Sequence, residues 1–283
     1  MTNASHSRPR ALVFGLGFTG RSIAERLLQL GWQVGGTGRT RPDMSGVDGL
    51  TFAGKPTPEL ENVLATCDLL VGSIPPGAGG ADPVLEAFPE LERTCRARAV
   101  VYLSATSVYG DREGKWAFEG EAPRPVSERG ARRVEAELRW LETGLPVHVL
   151  RLAGIYGPGR SPFDKMGRAV VKPDHVVNRI HVEDIADLVA RIAEHPVPGI
   201  YNVADGHPAP PQDVVREAAR MAGAPAPVEV PWTDPSLSPM ARSFYAETKR
   251  VGTTRVRATF GWTPRYPTYR EGLAQIWAER APR

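Results

Sequence analysis

Short apolar runs alternate with amphipathic stretches through the first half of the chain. Ala11-Leu12-Val13-Phe14 has the pattern of a buried strand and enters a glycine-rich turn, after which Ile23, Ala24, Leu27, Leu28 and Leu30 recur at helical spacing until Gly31. Further strand-like runs lie at Val34, at Leu69-Leu70-Val71, at 99–103 and at 147–150, and helical patterns cover 58–65, 83–97 and 128–142. This alternation predicts an α/β fold with a doubly wound parallel sheet and helices on both faces. Beyond Ile155 the pattern changes. Gly157-Pro158-Gly159 marks a turn, 183–194 reads as a helix and Ile200-Tyr201-Asn202-Val203 as one more strand, and the proline-rich remainder reads as helices joined by rigid loops. The sheet domain is expected over 8–155, with 180–204 returning to it, and a smaller C-terminal region over 156–283.

A chain of 283 residues, 41% hydrophobic and 24% charged, has the makeup of an ordinary globular protein and is long enough for a large core. The 35 basic and 32 acidic residues are interleaved, so no clustered footprint for nucleic acid stands out. Only Lys55, Lys115, Lys165, Lys172 and Lys249 are lysines. The remaining positive charge is arginine, which reflects coding bias or favours bidentate recognition of phosphate and carboxylate. Cys67 and Cys95 stand alone, without a Cys-x-x-Cys pair or a histidine cluster, so neither a disulfide framework nor a metal site is expected, and a reducing cytoplasm fits best. The polar first ten residues lack a signal-like apolar run. The longest uncharged stretch, 69–81, is broken by Pro75 and Pro76, so no membrane segment is expected.

Gly15-Leu16-Gly17-Phe18-Thr19-Gly20 is a G-x-G-x-x-G that follows a strand and opens a helix, the context in which this spacing binds a dinucleotide. The first glycine permits the turn, the second admits a pyrophosphate against the backbone, and the third lets helix and strand pack closely. Residues 8–155 are therefore expected to hold the cofactor, with Phe18, Thr19 and Ser73 beside the glycines, and 156–283 mainly the substrate. About 20 residues on, where an acid would meet a free ribose 2′-hydroxyl, stands Thr37-Gly38-Arg39-Thr40-Arg41. Arg39 and Arg41, with Thr37 and Thr40 as hydroxyl donors, suit a 2′-phosphate, so NADP is expected over NAD.

Val101-Tyr102-Leu103-Ser104-Ala105-Thr106-Ser107-Val108-Tyr109-Gly110 resembles the fifth strand and following turn of the extended short-chain dehydrogenase/reductase family. The segments Leu150-Arg151-Leu152-Ala153-Gly154-Ile155-Tyr156-Gly157-Pro158-Gly159, Arg179-Ile180-His181-Val182-Glu183-Asp184 and Phe260-Gly261-Trp262 resemble later landmarks of that family in the same order. The resemblance implies a Rossmann-like NAD(P)-binding fold and an epimerase, dehydratase or oxidoreductase acting on a nucleotide-sugar or similar polar metabolite. It places Ser104, Arg133, Gly154 and Ile155 at the cofactor. It places Arg160, Asn178, Arg179 and His181 at an anionic small-molecule substrate. It also implies a homodimer through the helices at 83–97 and 128–142, where Val134, Leu138 and Leu141 form a seam or else pack on the sheet.

The departures from the family pattern bear on chemistry. Ala105 stands at the family's catalytic hydroxyl, between Ser104 and Thr106, and Arg129 and Arg133 stand where Tyr-x-x-x-Lys is expected. No tyrosine lies between Tyr109 and Tyr156, and no lysine between Lys115 and Lys165. An arginine cannot act as a general acid or base near neutrality. The candidates left for catalysis are Arg129 and Arg133, as oxyanion or substrate ligands, with the hydroxyls of Thr106 and Ser104. A catalytically silent cofactor-binding sensor or scaffold is the alternative. His181 is expected to be structural, bonded to Asp184, more than reactive.

Overall fold

A computed structural model describes residues 8–280. The elements are, in chain order, β1 (Arg10–Phe14), α1 (Phe18–Gln29), β2 (Gln33–Gly38), β3 (Val47–Thr51), α2 (Pro58–Thr66), β4 (Leu69–Gly72), α3 (Pro83–Ala87), α4 (Leu91–Thr94) and β5 (Ala99–Ala105). There follow β6 (Trp116–Ala117), α5 (Glu128–Glu142), β7 (Val147–Leu152), β8 (Gly154–Tyr156), β9 (Arg168–Val171), β10 (Arg179–His181), α6 (Val182–Glu194) and β11 (Gly199–Val203). The chain continues through α7 (Pro211–Met221), β12 (Val228–Pro231), α8 (Pro239–Ser243), β13 (Arg250–Val251), α9 (Thr254–Phe260) and α10 (Tyr269–Arg280).

Seven strands form one sheet in the order β11-β7-β5-β4-β1-β2-β3. The pairs β1–β2, β2–β3, β1–β4 and β4–β5 all run parallel. Chain order reverses between β1 and β4, and in such sheets the crevice outside the carboxyl ends of the strands is where ligands bind. The expected doubly wound fold is therefore present. Two local expectations change. The edge strand β3, Val-Asp-Gly-Leu-Thr, has only two buried residues and no clear alternation, so its pattern does not announce a strand. The single helix expected over 83–97 is two short ones, α3 and α4, because Pro89 lacks an N–H and disfavours helical geometry at Phe88.

The chain divides into two compact units. One comprises the described residues through Ser104 with Arg132–Leu150 and Ile185–Ile200. Its core includes Leu12, Phe14, Phe52, Leu70, Tyr102 and Trp140. Phe14 meets Phe52 edge-on at 5.1 Å, and Tyr102 stacks on Trp140 at 5.7 Å. The buried Asp82 satisfies several donors at once, accepting from Trp140 Nε1 at 3.0 Å and from the Val84 amide of α3 at 2.9 Å. The other unit comprises Ala105–Ala131, Arg151–Asp184 and the described residues from Tyr201 onward. Its core gathers Tyr156, Phe163, Val214, Leu273 and Ile276, and three two-stranded pairs, β8–β10, β9–β12 and β6–β13, order its loops.

Candidate functional site

The glycine turn lies at the carboxyl end of β1, in the first unit. Gly15 has φ +93°, a conformation that favours glycine, and its amide donates to Thr37 Oγ1 at 3.0 Å. A Cβ on Gly20 would lie 2.1 Å from Gly15 O, so only glycine lets α1 start this close to the strand. Gly17 differs: nothing lies within 4 Å of where its Cβ would stand. No side chain caps α1 and no acid sits in its first turn, which leaves the positive end of the helix for an anion. Phe18 is half-buried and Thr19 buried beside the turn. Ser73, at the end of β4, donates its amide to Phe14 O at 2.9 Å and so fixes the other lip of the crevice. The residues present fit a dinucleotide pyrophosphate at Gly17.

At the end of β5, two expected site residues are already committed. Ser104, 3% exposed, donates its hydroxyl to Glu137 Oε1 of α5 at 2.5 Å, and Glu137 is itself 2% exposed. A hydroxyl has one proton, so here Ser104 offers a ligand acceptor lone pairs only. Arg133, one turn before Glu137, places Nη1 on Leu103 O at 2.5 Å and on Tyr102 Oη at 3.2 Å. Sequence reasoning missed the role of Glu137 because its partner is 33 positions away.

The arginines expected at a 2′-phosphate do not form a pocket for one. Arg39 and Thr40 are exposed, and Arg41 is ion-paired with Glu59 at 3.2 Å. Thr37 is fully buried with its hydroxyl oxygen on the Gly15 amide.

In the second unit, two cavities of about 310 and 500 Å³ share Arg160, Ser161, Pro162, Arg179 and Val214 in their walls. The smaller adds Gly154, Ile155 and Tyr156, and the larger adds Lys165, Arg168 and Tyr245. Arg179 Nη1 donates to Val177 O at 2.9 Å and Ala209 O at 3.1 Å. Among the described residues no carboxylate lies within ion-pair distance of it. The charge of nearby Asp205 favours the Arg179 cation, and burial pushes that carboxyl up to about 7 against the hydrogen bond from the His207 amide and the charge of Arg179. A guanidinium in a cavity wall that makes no direct ion pair among the described residues is suited to an anion.

Other expected site residues are spent on structure. Asn178 donates to Lys249 O at 2.9 Å and accepts from the Val251 amide at 3.0 Å, both ends of its amide being used to hold β13. His181 is fully buried between Tyr156 and Tyr266, and burial lowers its pKa to about 4. Asp184, expected to bond His181, accepts instead from the amides of Arg265 at 2.6 Å and Tyr266 at 3.3 Å. Tyr109 is locked by Asn202 at 2.7 Å and Arg151 at 2.9 Å. Arg129 is exposed, with its guanidinium 5.5 Å from the ring centre of Phe244. Thr106 lies half-buried in a 3-10 turn, its hydroxyl without a hydrogen bond among the described residues. No group of three or more metal-ligating side chains occurs among the described residues, and no helix among them is long and apolar enough to cross a membrane.

No protein-family model matches the chain. The chain is, however, 34% identical over 223 residues to protein YeeZ of Escherichia coli K12, a match that covers 71% of this chain and 79% of that protein. The chain belongs to the extended short-chain dehydrogenase/reductase family, as an atypical member. Solved structures agree in fold. A conserved protein from Silicibacter pomeroyi, described as functionally unknown, is 43% identical with a TM-score of 0.88, covering 96% of this chain and 99% of that one. A candidate NAD-dependent epimerase/dehydratase from Methylobacillus flagellatus is 26% identical with a TM-score of 0.75 over the same shares. MoeE5, solved with UDP-glucuronic acid and NAD, is 23% identical with a TM-score of 0.75, again over 96% and 99%, and shares the fold. The expectation of NADP over NAD is thereby corrected: the similar structures whose cofactor is named are described with NAD, and Arg41 is committed to Glu59.

Proposed function

We propose that this family member is an NAD-binding, epimerase- or oxidoreductase-like enzyme acting on a nucleotide-sugar or a comparable anionic metabolite in the cytoplasm. The observation that carries the reading is the glycine turn at the switch point of the sheet, closed at Gly20 and open at Gly17. In this reading Gly15, Gly17, Phe18, Thr19, Gly20 and Ser73 hold the dinucleotide, with Ser104 as an acceptor and Arg133 stiffening the end of β5. A bound nicotinamide supplies hydride exchange. The anion of the substrate is received by Arg160 and Arg179, which stand together in the walls of both cavities. The relatives solved with UDP-sugars support this substrate class by analogy of fold.

Proton transfer is where this chain departs from its family. Arg129 cannot release its proton near neutrality, and the Ser104 proton is held by Glu137. The proton is therefore exchanged with water, with Thr106 as the hydroxyl left to relay it. The same commitment of Ser104 favours a second reading, a catalytically silent dinucleotide-binding sensor. Calorimetric titration with UDP, in wild type and Arg160→Ala, tests the substrate side. Loss of a fixed guanidinium contact should weaken UDP binding at least tenfold, about 1.4 kcal/mol, and leave NAD binding unchanged. Equal UDP affinity in the two proteins would remove Arg160 from the site.

A further inference from the structure

The two cysteines of this chain, 28 positions apart in sequence, meet in the first unit. Cys67 closes α2 and Cys95 closes α4, each as the C-terminal cap, and the strands that follow them, β4 and β5, are parallel neighbours in register at Leu69 and Ala99. Asp68 O, beside Cys67, accepts from the amides of Arg98 and Ala99 and ties the two segments together at the amino ends of those strands. Both thiols are 2% exposed and belong to one apolar cluster, close enough for each to shift the ionisation of the other. The Cys67 thiol donates to Leu64 O at 3.3 Å. We propose that Cys67 and Cys95 form a reversible two-electron oxidation site, with a peroxide as oxidant and an intrachain disulfide between the ends of α2 and α4 as product.

The environment distinguishes the two sulfurs. The neighbouring Cys67 thiol and the charge of Arg96 lower the pKa of Cys95 below its ordinary value, whereas the neighbouring Cys95 sulfur and burial push the Cys67 thiol up. Cys95 is therefore the sulfur that attacks. Its access comes from α4, four residues long with no side-chain cap at its start and followed by the exposed Arg96, so a local opening bares Cys95 without disturbing the sheet. The Cys95 thiolate bonds to one peroxide oxygen as the O–O bond breaks, giving a sulfenic acid and a hydroxide that takes up a proton. The Cys67 sulfur then bonds to the Cys95 sulfur as the S–O bond breaks, and the departing hydroxyl leaves as water with the Cys67 proton. In sum, two thiols and one peroxide give one disulfide and two waters, and the two electrons pass to the peroxide. The closed loop carries β4 and Ser73, so the bond staples one lip of the crevice from the far end of its strand.

The experiment treats the intact protein with a modest excess of hydrogen peroxide and counts thiols after denaturation. The chain has only two cysteines, so the count is unambiguous. The proposal expects it to fall from both to none, with loss of two hydrogens in the intact mass, a Cys67–Cys95 cross-linked peptide under non-reducing digestion, and full reversal by dithiothreitol. The oxidised protein should melt a few degrees higher than the reduced one. In Cys67→Ser, Cys95 should be trapped as sulfenic acid, whereas in Cys95→Ser the Cys67 thiol should survive the same treatment. A thiol count that stays at two, a disulfide between separate chains, or Cys95 driven to sulfinic acid beside an intact Cys67 would each overturn the proposal, and the wild-type experiment alone decides even if a variant fails to fold.

Discussion

Replacing Gly17 and Gly20 separately by alanine divides the work of the glycine turn into binding and packing. At Gly17 the backbone is extended (φ −79°, ψ −162°) and no atom lies within 4 Å of the new methyl. Alanine there gains about 0.4–1 kcal/mol by restricting the unfolded chain. It loses roughly 1 kcal/mol because alanine is a poor helix N-cap. The net change stays within about 1 kcal/mol, or roughly 2–4 °C in melting temperature. The methyl would occupy the space a pyrophosphate needs, so NAD affinity should fall at least tenfold, about 1.4 kcal/mol. At Gly20 the methyl would meet the Gly15 carbonyl oxygen at 2.1 Å, a backbone atom that cannot swing aside. Overpacking of this kind costs about 1–3 kcal/mol, so Gly20→Ala should melt several degrees lower. Calorimetric titration with NAD and differential scanning calorimetry on both variants read the two effects. A Gly17→Ala protein that binds NAD as wild type does would refute the placement of the pyrophosphate.

Ser104→Ala removes the donor to a buried carboxylate oxygen and should cost about 1–3 kcal/mol in urea unfolding; a loss below the error of the extrapolation would mean that Glu137 is satisfied without it. Trp140→Phe keeps the stack on Tyr102 but strips Asp82 of its indole donor, and a destabilisation of about 1–3 kcal/mol by the same assay is expected. Asp205 supplies a pH prediction. Burial raises its folded pKa to about 7, above the unfolded value of 3.8, so between those values the folded state holds more protons and the carboxyl favours folding less as pH rises. The stability of Asp205→Asn relative to wild type should therefore climb from pH 4 to pH 7, by on the order of 2–4 kcal/mol. A difference that is flat with pH would show that Asp205 titrates normally.

Much of the sheet was legible because its strands are short apolar runs and its helices keep one buried face. The turn at Gly15–Gly20 was legible because both its glycines and its flanking strand and helix are local in sequence. What escaped was of two kinds. The edge strand β3 is exposed along half its length, and Pro89 breaks a helix that apolar spacing alone would continue. The polar pairs escaped for another reason: Ser104 with Glu137 and Asp82 with Trp140 join positions 33 and 58 apart, and periodicity carries no information on such contacts. The expected grouping of Arg129 with Arg133 dissolves in the same way, since one lies over Phe244 and the other bonds Leu103 O and Tyr102 Oη. The proposed anion ligands Arg160 and Arg179 were reached through the family resemblance, and their sharing of two cavity walls is visible only in the fold.

The most direct test is a calorimetric titration of the wild-type protein with NAD, NADH, NADP and NADPH in identical salt. Saturable one-to-one binding of NAD or NADH, at least as tight as that of the phosphorylated forms, is the predicted result. Absence of binding by all four would contradict the account and leave the Gly15–Gly20 turn a structural feature only.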